Sequence, residues 1–317
     1  MVWSPPSRAD VAAWTKPLGR LQELQSLTGD VSPRRYYRLC FDHGGAAILA
    51  AYPESLMPAF ERFLRTTELL ESIAVRVPSI LQQAPERGWM AVEDLGSETL
   101  FDLPSDWTLL APYYRSARRV LERVDGLPAD FVASFSQPLD RALLEKELEQ
   151  TWERFLLPRE VVSHGEAARR LERALSDLCG SLAELPPRPC HRDFMVRNLV
   201  PLGGGEVAVL DHQDLRLGPP HYDLASLLND SRFPRPAEVT LELPAETVDY
   251  HRAAAQRTLK AVGTYAAFAD RGFDRHLPLI EPTYRRALEH LAKVPETAPA
   301  VVDLAQSEVA DRGGAAG

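Results

Sequence analysis

The chain has 317 residues, 45% of them hydrophobic and 26% charged, a globular composition that excludes a disordered, collagen-like or coiled-coil molecule. A net charge of −9 argues against nucleic acid as the main partner, because phosphate-backbone binding asks for a basic surface. Three scattered cysteines (Cys40, Cys179, Cys190) make neither a disulfide framework nor a zinc cluster, and the start resembles no signal peptide, so a reduced, cytoplasmic setting with no membrane partner is expected.

Along the chain, Leu27 to Pro33 reads as a turn-forming loop and Arg35 to Phe41 as a strand. His43–Gly44–Gly45 then turns the chain into a second strand, Ala46 to Tyr52. The spacing of Phe60, Phe63, Leu64 and Leu70 predicts a helix over about 57–72. Trp89 to Val92 is a further short strand, running into Glu93–Asp94–Leu95–Gly96. Beyond Gly96 the texture turns helical. Leu144, Leu148, Trp152 and Phe155 form one apolar stripe. Ser163 and Glu166 have capping-box spacing and open a helix with Leu171, Leu175, Leu178 and Leu182 on one face, stopped by Pro186, Pro187 and Pro189. Helices are also expected over 251–269 and 284–292, followed by a small, polar, frayed tail over 297–317. A strand-rich part followed by a helical part is an α+β order, with domains at 1–95 and 96–296.

The chemistry concentrates between Cys190 and Leu228. Asn198 to Leu202 and Glu206 to Leu210 are short apolar runs around Gly203–Gly204–Gly205, a hairpin whose pairing about Gly204 sets position 198 opposite position 210. Asn198 and Asp211 therefore meet at its open end, with Asp193 on the loop just before. Hard oxygen donors of this kind suit Mg²⁺, which takes a few protein oxygens and shares the rest with phosphate and water. Zinc is unsuited, for want of Cys or paired His ligands. Asp193 could accept a proton from a hydroxyl nucleophile, and the whole reads as phosphoryl transfer.

His191–Arg192–Asp193 with Asn198 and Asp211 resembles the catalytic loop and metal-binding aspartate of protein-kinase-like enzymes. Asp211–His212–Gln213–Asp214, Gly218–Pro219 and Tyr222–Asp223–Leu224 are closer to the aminoglycoside phosphotransferase and choline kinase superfamily. Within it, Gly29 to Arg38, Glu93 to Gly96 and Tyr222 to Leu228 look most like the anomeric sugar kinases of cell-wall recycling, which act on N-acetylmuramate and N-acetylglucosamine. The resemblance covers roughly residues 20 to 290. It implies a two-lobed protein-kinase-like fold, with a small sheet-based N-lobe, a larger helical C-lobe and ATP between them. It also implies transfer of the ATP γ-phosphate to a small-molecule hydroxyl, with Mg²⁺. Asp193 would be the general base or hydroxyl-positioning residue, and Asn198 and Asp211 the metal ligands. Gly29, Asp30, Ser32 and Arg35 would belong to the phosphate-covering segment, and Glu93 and Leu95 to the hinge that holds adenine. Asp223 would tie the catalytic loop in place.

The resemblance has two departures. Only four of the 36 basic residues are lysines (Lys16, Lys146, Lys260, Lys293), and the strand Ala46 to Tyr52 lacks the usual phosphate-holding lysine, whose position is occupied by Ala50. Either Arg34, Arg35 or Arg38 replaces it, or the protein binds nucleotide poorly, as an inactive relative would. Phe194–Met195 is bulky for such a loop and could reshape the acceptor pocket. Other acceptors (an aminoglycoside, choline or homoserine) stay open. Blander readings stand beside these: His191 as a hydrogen-bonded core residue, Asp223 as a helix N-cap, and Asp214 as either a turn residue or a metal contact. Lys260 is read as a surface or snorkelling lysine, with reach to a substrate carboxylate as the alternative, and Gly203–Gly205 as a turn.

Overall fold

A computed structural model of the chain describes residues 5–27, 33–158, 165–236, 239, 241 and 247–302. They form two compact units, one from Met1–Thr99 with Asn198–Asp214 and one from Leu100–Arg197 with Leu215–Gly317.

The first unit begins with α1 (Arg8–Trp14), β1 (Leu21–Leu27), β2 (Arg35–Phe41) and β3 (Ala46–Ala51), followed by α2 (Met57–Ser72), β4 (Ile80–Ala84) and β5 (Trp89–Glu93). The strands make one antiparallel sheet in the order β1-β2-β3-β5-β4. Period-two alternation gives the sheet two apolar faces. Tyr37, Leu39 and Phe41 pack on one face with Val11 of α1. Tyr36, Ile48, Ala50, Met90 and Val92 pack on the other with Phe60 and Phe63 of α2. The β2–β3 turn follows from Gly44, whose φ of 82° lies in the left-handed region open to glycine. Neither α1, β1 nor β4 was expected. The β1 segment LQELQSL has helix-forming composition, and pairing with β2 overrides it. Leu27 ends that strand, while Thr28 to Ser32 lie outside the described residues.

The chain continues through α3 (Trp107–Asp125), α4 (Ala129–Ala133), α5 (Arg141–Thr151), α6 (Glu166–Ala183) and β6 (Arg188–Cys190). The hairpin β7 (Leu199–Pro201) and β8 (Val207–Val209) counts with the first unit, and β9 (Arg216–Gly218), α7 (Tyr222–Leu228), α8 (Val248–Ala269) and α9 (Leu277–Leu291) with the second. Ser163, read as a cap for α6, is outside the described residues. The helix expected over 284–292 begins earlier, at Leu277. The tail expected from 297 is corrected in part. Thr297 and Ala300 are buried and residues 298–302 are helical, because the Thr297 hydroxyl donates to the Leu291 carbonyl at 2.6 Å and seats this turn; residues 303–317 lie outside the described residues.

In the second unit α8 is buried nearly all round, and its run of alanines lets neighbouring helices approach. α5 approaches closely at Gly263, where a Cβ would lie 2.5 Å from the Thr151 backbone nitrogen. Thr151 Oγ1 also donates to the Leu259 carbonyl at 2.7 Å. One turn from that contact on each helix stand Glu147 and Lys260. No helix among the described residues is long and apolar enough to cross a membrane.

Candidate active site

The hairpin takes the register read from its glycines. Leu199 pairs with Val209, Val200 with Ala208 and Pro201 with Val207, and the Leu210 N–H donates to the Asn198 carbonyl at 2.8 Å. Gly204 and Gly205, with φ of 74° and 78°, make the turn. A strand follows rather than a helix, so this is a turn and no phosphate cradle. The open end is anchored within the first unit. The His212 ring lies 4.4 Å from Phe63 and its Nε2 is 2.8 Å from Thr67 Oγ1. Arg62 donates to the Gln213 carbonyl at 3.3 Å and lies 3.7 Å from Asp214, which makes Asp214 an anchor of the turn.

A cavity of about 450 Å³ opens on the α2-facing side of this unit's sheet. Ile48, Ala50 and Val92 give it an apolar wall, Glu93 and Leu95 line it, and Asn198 and Asp211 lie at its hairpin side. Asp211 holds a left-handed backbone, φ 58°. Its Oδ1 accepts from Gln213 Nε2 at 2.7 Å and Arg34 Nη2 at 3.5 Å, and its side chain is 46% exposed. Both contacts fall on one oxygen, so the other has no hydrogen bond among the described residues. An amide oxygen and a half-exposed carboxylate at one wall fit a hard cation that draws its remaining ligands from phosphate and water.

Ala50 faces this cavity, so the strand presents no lysine there. The nearby cations are arginines. Arg38 lines the cavity but is engaged by Asp94 at 2.6 and 3.2 Å. Arg34 lies 5.7 Å from the Tyr36 ring centroid and 5.6 Å from that of Tyr52, beside Asp211. Burial alone would lower its pKa; the two tyrosines and Asp211 more than offset this and keep it charged. Arg35, the arginine expected at the phosphates, is exposed and shares the strand parity of Tyr37 and Leu39, away from the cavity. That expectation is corrected, and strand alternation is the reason. Gly29, Asp30 and Ser32 lie outside the described residues. The Glu93 side chain pairs with Arg76 at 2.5 Å, and its backbone N–H donates to Ser79.

Asp193 lies in the second unit, in the wall of a cavity of about 400 Å³ built from one face of α5, one face of α8 and the loop after β6. Its Oδ1 receives Lys260 Nζ at 3.1 Å and Arg257 Nη2 at 3.2 Å. Burial by itself would raise the carboxyl; Lys260, Arg257 and Arg192 overcome this and hold it far below the usual carboxylate range. Glu147, with a side chain only 7% exposed, binds the other side of the same cations: Arg192 at 2.8 Å and Lys260 at 3.2 Å. Tyr222 Oη donates to Glu147 at 3.2 Å, and Arg257 Nε donates to Ser226 Oγ at 3.1 Å. Lys260 is therefore buried in an ion network, which corrects the surface reading. Sequence reasoning missed Glu147 and Arg257; the signal that could have found them is helical spacing from other residues lining the cavity, Glu147 with Leu143 and Gln150 on α5, Arg257 with Lys260 and Ala261 on α8.

Asp223 is buried and accepts the backbone N–H groups of His191 and Arg192, the latter at 2.8 Å. Arg192 is thereby held at φ 79°, a conformation costly for any residue with a Cβ and stabilised here by its neighbours. The N-cap of α7 is His221, in the left-handed region, so Asp223 sits inside the first turn rather than capping it. Burial raises the Asp223 carboxyl, partly offset by the His191 and Arg192 bonds. His191 is buried, its ring edge-on to fully buried Phe194, while Met195 lines the cavity.

Residues 23–256 match the phosphotransferase enzyme family. The chain is 31% identical over 302 residues to an N-acetylmuramate/N-acetylglucosamine kinase of Pseudomonas aeruginosa, covering 87% of this chain and 86% of that protein. It is 29% identical over 264 residues to a protein of the same name from Neisseria meningitidis serogroup B, covering 80% and 76%. Among solved structures it resembles the choline kinase LicA from Streptococcus pneumoniae, with TM-score 0.60 and 15% identity over 89% of this chain and 97% of that one. A choline/ethanolamine kinase family protein from Mesorhizobium loti gives TM-score 0.61 and 16% identity over 94% and 97%. The protein-kinase-like α+β fold expected from the motifs is the fold of these structures. On sequence and fold together, the chain belongs to the phosphotransferase enzyme family and is a phosphotransferase acting on a hydroxyl acceptor.

Proposed function

We propose that the protein transfers the γ-phosphate of ATP to the anomeric hydroxyl of an amino sugar, N-acetylmuramate or N-acetylglucosamine, in a cytoplasmic setting. The observation that carries this reading is Asp193, a carboxylate kept ionised by Lys260 and Arg257 in the wall of a cavity of sugar size. The names of the curated relatives at about 30% identity support the acceptor. We assign nucleotide handling to the first unit, where Leu95 and the apolar wall suit a base and Arg34 suits phosphate. Acceptor binding belongs to the second.

Asn198 and Asp211 are the residues suited to hold Mg²⁺, which when bound neutralises charge on the phosphates. The acceptor oxygen forms its bond to the γ-phosphorus as the bond from that phosphorus to the β,γ-bridging oxygen breaks, and ADP leaves. The hydroxyl proton passes to Asp193 and then to water. A carboxylate so acidic is a weak base; it orients the hydroxyl first and takes the proton late, as suits a loose phosphoryl-transfer transition state. An anomeric hydroxyl, more acidic than an ordinary alcohol, demands less of that base. The arginine beside the cavity answers the missing strand lysine and favours an active enzyme over an inactive nucleotide binder.

The test is a panel of acceptors with radiolabelled ATP and Mg²⁺: both amino sugars, an aminoglycoside, choline and homoserine. Labelled 1-phosphate from the amino sugars alone is the expected result. Turnover of only a different alcohol, or nucleotide binding with no turnover at all, overturns it.

A further inference from the structure

Charge in the second unit's cavity is unbalanced. Its lining carries two carboxylates, Glu147 and Asp193, and four cations, Lys146, Arg192, Arg257 and Lys260. Three of those cations are already committed. Arg192 and Lys260 share Glu147, and Arg257 and Lys260 share Asp193. Lys146 makes no ion pair among the described residues; it stands exposed on α5, on the turn beside Glu147. Lysine is rare in this chain, four of 36 basic residues, and two of the four line this one cavity.

We propose that this cavity selects an anionic acceptor and that Lys146 is the residue that reads its carboxylate. Of the two amino sugars above, N-acetylmuramate carries a carboxylate and N-acetylglucosamine does not, so the inference rests on the proposed function and sharpens it. The surplus positive charge attracts the acid, repels a polycationic aminoglycoside, and leaves the neutral sugar without a partner for Lys146. Specificity of this kind is a difference between two affinities, and a single charge-assisted hydrogen bond at a half-open rim supplies about a tenfold difference.

The experiment measures kcat/KM for both sugars in the wild type and in Lys146→Ala, Lys146→Arg and Lys146→Glu. The exposed position on α5 lets each substitution fold, with circular dichroism as the check. We expect the ratio of N-acetylmuramate to N-acetylglucosamine to fall about tenfold in Lys146→Ala, to return in Lys146→Arg and to drop further in Lys146→Glu. The loss should shrink in high salt, as a rim charge requires. If the wild type turns over both sugars but the ratio is the same in all four proteins, this inference fails while the amino-sugar reading stands. Turnover of neither sugar by the wild type removes both.

Discussion

Replacing Lys260 with methionine takes one cation from each of two carboxylates. Lys260 Nζ lies 3.1 Å from Asp193 and 3.2 Å from Glu147, and its side chain is 11% exposed. At such distances and an effective dielectric near 20, each pair carries a gross attraction of about 5 kcal/mol. Most of that is offset by the cost of burying the ammonium, which the same residue shows in a pKa drawn below its ordinary value by desolvation. Asp193 keeps Arg257 at 3.2 Å and Glu147 keeps Arg192 at 2.8 Å, so neither carboxylate is orphaned. The net loss should be about 2 kcal/mol, read as a lower urea midpoint at pH 7 with unchanged m. The pH dependence has a definite sign. The folded Asp193 carboxyl is held below its unfolded value of about 3.9, so its stabilisation is present above that pH and is lost as pH falls through the folded value. Removing Lys260 raises the folded value; the gap between wild type and variant should therefore close in acid, and the acid limb of kcat should move up. Lys260→Arg should restore part of both. A stability change under about 0.5 kcal/mol with an unmoved acid limb would refute the network as described.

Other substitutions probe the same assignments. Asp193→Asn should lower turnover by about 10²–10⁴-fold while nucleotide affinity, measured by calorimetry, changes little; near-normal turnover removes Asp193 from its role. Asp211→Ala should weaken Mg²⁺-dependent nucleotide binding at least tenfold by the same assay, and an unchanged Mg²⁺ requirement counts against it as a ligand. Gly263→Ala should cost about 1–3 kcal/mol in thermal unfolding, because its Cβ would meet the Thr151 backbone at 2.5 Å and push α5 from α8. An unshifted midpoint would show that the two helices have room to spare.

Local geometry made some of these features legible in advance. The β7–β8 register followed from three glycines between short apolar runs, which leave a hairpin little freedom to slip. The α2 helix over 57–72 followed from a strong 3.6-residue pattern. Where local propensity and tertiary pairing disagree, as in β1, the sequence carries no readable strand pattern. The arginines before and in β2 show how fine the margin is. One step of alternation separates Arg34, beside the cavity, from Arg35, which points away, and no residue type in the segment reveals that parity.

Residue order alone was enough to mark this chain as a phosphotransferase, because hydroxyl and phosphate chemistry needs particular oxygen donors at short, fixed separations within the 193–211 segment. What only folding decided is the electrostatic setting of those donors. Asp193 meets Lys260 and Arg257 across more than sixty positions of chain, and Glu147 meets Arg192 across forty-five. The helices that carry Glu147, Arg257 and Lys260 close on one another because α8 is rich in small, buried residues that α5 approaches closely, a packing event that spacing along the sequence does not encode.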